Sequence, residues 1–144
     1  MIREFAASDI DGVQRLLSGV PEAARWSAGD LLLALRNNPS LRVAEEHGAI
    51  CGVIIFRMMA DEAEILNLAV ASGLRRRGIG SLLLEEAIRA SKAARAHKIF
   101  LEVRESNEPA RMFYARRNFI EAGRRREYYR DPSEDALILL RMIE

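Results

Sequence analysis

The chain has 144 residues, 49% of them hydrophobic and 30% charged, a balance that predicts one folded domain spanning 1–144 and excludes a disordered or fibrous chain. Its net charge of +1 at pH 7 supplies no global attraction to nucleic acid, although 20 of its 22 basic residues are arginine. The longest apolar run, 49–56, is too short to span a bilayer and no charged-then-apolar leader precedes Ser8, so a cytoplasmic protein without membrane contact is expected. Ser8-Asp9-Ile10-Asp11 opens a helix in the manner of a capping box, and Ile10, Val13, Leu16 and Leu17 continue it at helical spacing as far as Pro21. Ser27-Ala28-Gly29-Asp30 repeats the signal for a second helix over 31–36, which Asn37-Asn38-Pro39 stops. Strands are predicted over 41–45 and 49–59, as a hairpin around His47-Gly48, and over 64–70. Cys51, the sole cysteine, falls in the second of these as a core residue. With one cysteine, and with His47 and His97 as the only histidines, neither a disulfide nor a metal site is expected.

After Gly80 a helix carries Leu83, Ala87, Ala90 and Ala94 as an apolar stripe, with Glu85 and Arg89 as an i,i+4 pair on its wet side. The strand over 99–104 alternates Ile99, Leu101 and Val103 with Phe100, Glu102 and Arg104. Asn107-Glu108-Pro109 opens a helix bearing Met112, Phe113 and Tyr114, and 137–143 is a closing strand. The order of elements predicts an α/β architecture, a mixed sheet flanked by helices. Architecture alone names no reaction.

The chemistry concentrates in Arg75-Arg76-Arg77-Gly78-Ile79-Gly80-Ser81, where a strand breaks into three like charges and then a helix. A helix N-terminus leaves backbone N–H groups without intrahelical partners and carries partial positive charge. Glycines there allow an anion to approach closely, and arginines add bidentate hydrogen bonds to phosphate. The spacing matches neither Gly-x-x-x-x-Gly-Lys nor Gly-x-Gly-x-x-Gly, so neither nucleotide fingerprint applies. A solvated basic turn accounts for the same residues equally well by pattern alone.

This segment resembles the acetyl-coenzyme A loop of the GCN5-related N-acetyltransferases (GNAT), whose pattern is Gln/Arg-x-x-Gly-x-Gly/Ala. Further pieces resemble one branch, the ribosomal-protein alanine N-acetyltransferases (RimI-like): Glu64-Ile65-Leu66-Asn67-Leu68-Ala69-Val70, Leu101-Glu102-Val103-Arg104, Ser106-Asn107, Tyr114, Tyr128-Tyr129 followed by Glu134-Asp135-Ala136, and Arg25-Trp26-Ser27. The resemblance implies the GNAT fold, acetyl-CoA as cosubstrate, and a splayed strand pair in which Leu68, Ala69 and Val70 bond the pantetheine arm. It implies that 75–81 receives the pyrophosphate through backbone amides and that Asn107 bonds the coenzyme. Relatives usually carry glycine where Asn118 stands, and asparagine tolerates the left-handed conformation such a helix end needs.

Moving an acetyl group from a thioester to an amine needs a neutral amine and help for the departing thiolate. The resemblance implies Glu102 as the base, directly or through water, and Tyr114 as the group near the sulfur. By pattern alone Glu102 also reads as a solvent-facing residue paired with Arg104 or another arginine, and Tyr114 as a core aromatic. The resemblance further implies a loop at Tyr128-Tyr129 closing over the acceptor, with Trp26 and Asn67 helping to wall the groove; by pattern alone the two tyrosines read equally as a strand-edge pair, and Trp26 as packing between the first helices. The expected acceptor is the N-terminal amine of a protein, an alanine of a small-subunit ribosomal protein. Two other readings are a lysine or small-amine acetyltransferase, and a non-catalytic coenzyme A-binding module with arginines recruiting RNA. Arg124, Arg125 and Arg126 form a second basic run, read as a solvated strand edge or a ribosomal contact.

Overall fold

The computed structural model describes residues 1–144 except Glu22, Asn37, Asn38 and Arg76, so part of the predicted stop at Asn37-Asn38-Pro39 lies outside the described residues. Helical spacing of apolar residues gives α1 (Ile10–Ser18), which buries Val13, Leu16 and Leu17, and α2 (Ala28–Ala34), which buries Leu31 and Ala34. The predicted cap of α2 forms reciprocally. Ser27 Oγ accepts from the Asp30 amide at 3.0 Å, and the Asp30 carboxylate accepts from the Ser27 amide at 3.1 Å.

The start of α1 departs from expectation. A 3-10 turn at Ala7–Asp9 precedes it, and Asp9 accepts from the Ala6 amide and from both terminal nitrogens of Arg3, each at 2.8 Å. Asp9 is 5% exposed, and the Arg3 guanidinium holds its carboxyl below the usual range. Arg3 sits on β1 (Ile2–Glu4), a strand too short to leave a periodic signal in the sequence.

Strands β2 (Ser40–Glu46), β3 (Ala49–Met59) and β4 (Glu62–Val70) follow β1 as antiparallel neighbours. After α3 (Ile79–Ala93), β5 (Lys98–Arg104) returns parallel to β4, and α4 (Glu108–Ala115) follows. β6 (Ile120–Tyr129) and β7 (Glu134–Met142) complete the sheet in the order β1-β2-β3-β4-β5-β7-β6. The architecture is thus the predicted mixed sheet flanked by helices.

Two cores lie on its two faces. Ile54 and Phe56 of β3 pack with Leu83, Leu84 and Ala87 of α3, while Val53 and Ile55 pack with α1 and α2. A β3 buried on both sides explains its apolar run, interrupted only at Gly52. In α3, Leu83 and Ala87 are buried as expected, whereas Ala94 ends the helix exposed. The expected Glu85–Arg89 pair does not form. Arg89 bonds Glu86 one turn away, and Glu85 lies 3.8 Å from Arg141 of β7. Among the described residues no helix is long and apolar enough to cross a membrane.

A bulge in β4 positions everything that follows. Ile55 faces Asn67 and Phe56 faces Ile65, which leaves Leu66 as the extra residue. Before it, Ala63 and Ile65 belong to the α3 core; beyond it, Ala69 belongs to the α1–α2 core. The strand has exchanged its faces.

Candidate active site

β4 and β5 pair only at their first residues, Glu62, Ala63 and Glu64 against Lys98, Ile99 and Phe100. Pairing stops just before the bulge at Leu66, where a bulged strand bends and its twist increases. The two strands then separate, and a cleft of about 1000 Å³ opens between β4, the start of α3 and α4. Asn67, Leu68, Ala69 and Val70 line one wall, and Arg75, Gly78, Ile79, Gly80 and Ser81 a second. Asn107 and Tyr114 stand on the third, with Phe113 and Arg117 beside them.

The second wall is built by glycine. Gly78 adopts φ 82°, a left-handed conformation that L-residues resist, and its carbonyl accepts the first α3 bond from the Leu82 amide at 3.0 Å. The amides that follow are those a helix cannot satisfy itself. A Cβ on Gly80 would stand 3.4 Å from the Phe113 ring, so this turn packs closely against α4.

The arginine run does not enter the cleft as a unit. Arg75 lines it and donates from Nε to the Val70 carbonyl at 3.5 Å. Arg77 does not line it; Glu46, at the end of β2, draws its guanidinium to 3.9 Å. Arg76 lies outside the described residues.

On the third wall Asn107 caps α4, its Oδ1 accepting from the Ala110 amide at 3.3 Å. At the other end of α4, Asn118 takes φ 68°, the left-handed conformation expected of it. Tyr114, 5% exposed, stacks edge-on against Phe113 and Phe119 at centroid distances of 5.0 and 5.1 Å. Burial pushes its phenol pKa well above the ordinary range, opposed by the nearby charge of Arg117. The phenol therefore stays protonated, a donor at the cleft wall.

Glu102 stands apart from these residues. It lies on the β5 face opposite Ile99, Leu101 and Val103, and among the described residues it is not part of the cleft lining. Its Oε1 lies 3.0 Å from Arg125 Nε in an ion pair. This realises the alternative pairing with another arginine, since Arg104 instead bonds Glu134 at 3.1 Å. Arg125 lies 5.4 Å from the centre of the Tyr128 ring, and Arg104 lies 4.2 Å from that of Tyr129. Burial, and then the charge of Glu102, push the Tyr129 phenol up. Glu102 and Tyr128 thus share Arg125, and the Tyr128 and Tyr129 rings meet edge-on at 5.2 Å, which makes these residues a second group.

The two tyrosines end β6, which realises the strand-edge alternative and not the loop that the resemblance implied. Arg125 pairs with Ala136 and Tyr129 with Glu134, so β6 carries extra residues between them and turns through Glu127 at φ 50°. The Glu127 amide donates to Asp135 Oδ1 at 2.8 Å and fixes that turn. Trp26 takes its alternative role, packing at the first helices. Its side chain packs on the α1–α2 core and its carbonyl accepts from Gln14 Nε2 at 3.2 Å. The same segment reaches the site through Ala24, whose carbonyl accepts from Asn67 Nδ2 at 2.9 Å, and through Ala23, which lines the cleft.

Arg124 is held by Glu105 and by Asp135 at 2.7 Å, with Glu121 at 3.8 Å. With Arg125 bound to Glu102, two of the three arginines on this edge are already charge-compensated. Arg117 and Arg125 are the site-bordering residues that the sequence reading missed. Arg117 had a signal, since it falls four residues after Phe113, the spacing at which side chains on a helix meet. Arg125 had none, because its partner depends on the register of three strands.

The sequence profile of the acetyltransferase (GNAT) family matches residues 10–119. The chain belongs to that family. As a GNAT protein it is an N-acetyltransferase, and GNAT acetyltransferases use acetyl-CoA. It is similar to a Bacillus subtilis protein provisionally named a ribosomal protein bS18-alanine N-acetyltransferase, at 31% identity over 96% of this chain and 92% of the other. Its fold matches the crystal structure of the ribosomal-protein-S18-alanine N-acetyltransferase from Escherichia coli, with a TM-score of 0.86, 28% identity, and coverage of 100% of this chain and 94% of that one. It also matches Chaetomium thermophilum Naa20 in complex with a bisubstrate analogue, with a TM-score of 0.90, 28% identity and coverage of 99% and 86%. In this GNAT chain the cleft between the separated strands brings three features together. These are an unpaired strand edge, a glycine turn at a helix start, and a buried phenol on the wall.

Proposed function

We propose that this acetyltransferase transfers the acetyl group of acetyl-CoA to the α-amine of a protein N-terminus, the N-terminal alanine of ribosomal protein bS18. The observation that carries the reading is the early end of β4–β5 pairing, which exposes Asn67 to Val70 to a cleft walled by the Gly78–Ser81 turn and Tyr114. The names borne by the bacterial relatives support bS18 as the acceptor. The work of such a protein is done where the chain is made, in the cytoplasm.

The coenzyme supplies the acetyl group as a thioester. The β4 edge from Leu68 to Val70 offers free backbone groups to the pantetheine amides, and the α3 amides with Arg75 take the pyrophosphate. Asn107, whose Oδ1 caps α4, keeps its amide N–H groups for the coenzyme. The reaction forms a C–N bond, breaks a C–S bond and moves one proton from the amine to the departing sulfur. Tyr114 donates to the developing thiolate. A complete transfer to a free thiolate is uphill, because a phenol is the weaker acid, so the proton moves as the C–S bond breaks.

Glu102 receives the amine proton through water from its place outside the cleft lining, with Arg125 fixing its carboxylate. Tyr128, Tyr129 and the 23–26 segment flank the path of the acceptor, and Asn67 faces it from β4. A thiol-release assay tests the reading. An Ala-initiated bS18 peptide is expected to release coenzyme A, and the same peptide with a blocked N-terminus is expected not to. Release driven equally by the blocked peptide, or by a lysine-bearing amine alone, contradicts it.

A further inference from the structure

Arg116 and Arg117 are cations of the cleft lining for which the chemistry above has no use, and Arg117 is the one whose guanidinium is held in place. It projects from the turn after α4 onto the wall facing Ser81 and Gly80. Three contacts fix it. Nε donates to Ser81 Oγ at 3.2 Å, Nη1 donates to the Phe113 carbonyl at 2.8 Å, and the guanidinium lies 3.8 Å from the centre of the Phe113 ring. Its own carbonyl accepts from Arg141 Nη1 at 3.2 Å, which ties the turn to β7.

Its charge is treated differently from that of four arginines around the site. Arg77, Arg104, Arg124 and Arg125 each face a carboxylate. Among the described residues Arg117 is bonded to a hydroxyl, a carbonyl and a ring, and to no carboxylate. A partly buried cation left uncompensated on a cleft wall favours an anion in the cleft. The bond to Ser81 adds direction. A hydroxyl that accepts from Arg117 still has its own proton to donate, and Ser81 lies in the first turn of α3 beside the unsatisfied amides.

We propose that Arg117 is a specificity-determining residue for the acetyl donor: it supplies the charge, and orients the Ser81 hydroxyl, that select a phosphorylated thioester over one without phosphate. The inference rests on the coenzyme-cleft reading above. The same charge opposes the rise in the Tyr114 phenol, so the residue that grips the donor also lies within electrostatic reach of the group at its reactive end.

The test compares two donors, acetyl-CoA and acetyl-pantetheine, which share the thioester and differ in the phosphates. Arg117→Met keeps the stem on Phe113 and removes the charge. Arg117→Gln keeps a donor for Ser81 and removes the charge. Charge-assisted hydrogen bonds are worth enough that kcat/KM for acetyl-CoA is expected to fall on the order of ten- to a hundred-fold in both variants, mainly through KM. Turnover of acetyl-pantetheine is expected to stay within about two-fold of wild type, and Arg117→Lys to restore much of the loss, because a point charge remains. Equal losses with both donors make Arg117 a packing residue and overturn the proposal, as does an unchanged KM for acetyl-CoA. A wild-type protein that turns over the two donors equally well contradicts the coenzyme-cleft reading itself, and the inference falls with it.

Discussion

Tyr114 and Glu102 have opposite surroundings, and the difference predicts opposite pH behaviour. Tyr114 is buried among Phe113 and Phe119, and its phenol is pushed above the ordinary tyrosine value of about 10. Sign and proposed role agree: the protonated form, the one that donation to sulfur needs, persists above that value. Wild-type kcat is therefore expected to show no descending limb near pH 10, and Tyr114→Phe to lower kcat at every pH with little change in coenzyme affinity. A limb near pH 10 that vanishes in the Phe variant would contradict this. Glu102→Gln is expected to lose about 10²–10⁴-fold near neutral pH, the usual worth of a general base. Part of that loss should return above about pH 8, where an α-amine is neutral without help. Rates within two-fold of wild type from pH 6 to 10 (roughly the range that brackets the α-amine) would remove Glu102 from the reaction.

Asp9 makes a prediction about stability instead. Its folded pKa is depressed by Arg3, so its contribution is complete above the unfolded value of about 3.9 and is lost as pH falls through the folded one. Asp9→Asn is expected to cost about 1.5–3 kcal/mol at pH 7, the range for hydrogen bonds to charged groups. The deficit should shrink towards pH 2, where the wild-type carboxyl protonates. A deficit of equal size at both pH values in denaturant titrations would contradict the linkage.

The elements that make the site are β4 and the α3 turn. β4 reads in the sequence as an ordinary alternating strand, yet the bulge at Leu66 turns its second half towards the cleft and coincides with the loss of β5. The α3 turn depends on Gly78 for a different reason. Among the described residues nothing lies within 4 Å of where its Cβ would be, so the cost of a substitution is that of the left-handed backbone. Gly78→Ala is expected to destabilise by about 1–2 kcal/mol. Gly78→Glu should cost a similar amount and also place a negative charge beside the α3 amides. Calorimetric titration should then find no coenzyme A binding to a protein whose circular dichroism is that of wild type. Undiminished binding would locate the coenzyme elsewhere.

Across the whole molecule, what could be read in the sequence was what short range dictates. The Ser27–Asp30 box, the alternation of β5, the cap at Asn107 and the left-handed end at Asn118 all follow from neighbours a few residues apart. The Gly-x-Gly turn was legible too, because helix starts and glycine leave a local pattern. What escaped depends on strands meeting across the chain. The Leu66 bulge exists only in the register of β3 against β4, and the Glu102–Arg125 pair only once β7 has inserted between β5 and β6. For the same reason the arginine runs misled. Their charges look additive in sequence, but Glu46, Glu102, Glu105 and Asp135 take up several of them in space. The proposed acceptor path belongs to this scale as well, since it would run by the 23–26 segment, β4 and the end of β6, three regions far apart in the chain. A peptide α-amine enters such a passage behind a small first side chain, whereas a lysine must bring its amine on a long charged stem. The most direct measurement is tandem mass spectrometry of one peptide that carries an N-terminal alanine and internal lysines, after reaction with acetyl-CoA. The acetyl group is expected on the α-amine with every lysine unmodified; acetylation confined to the lysines would contradict the account.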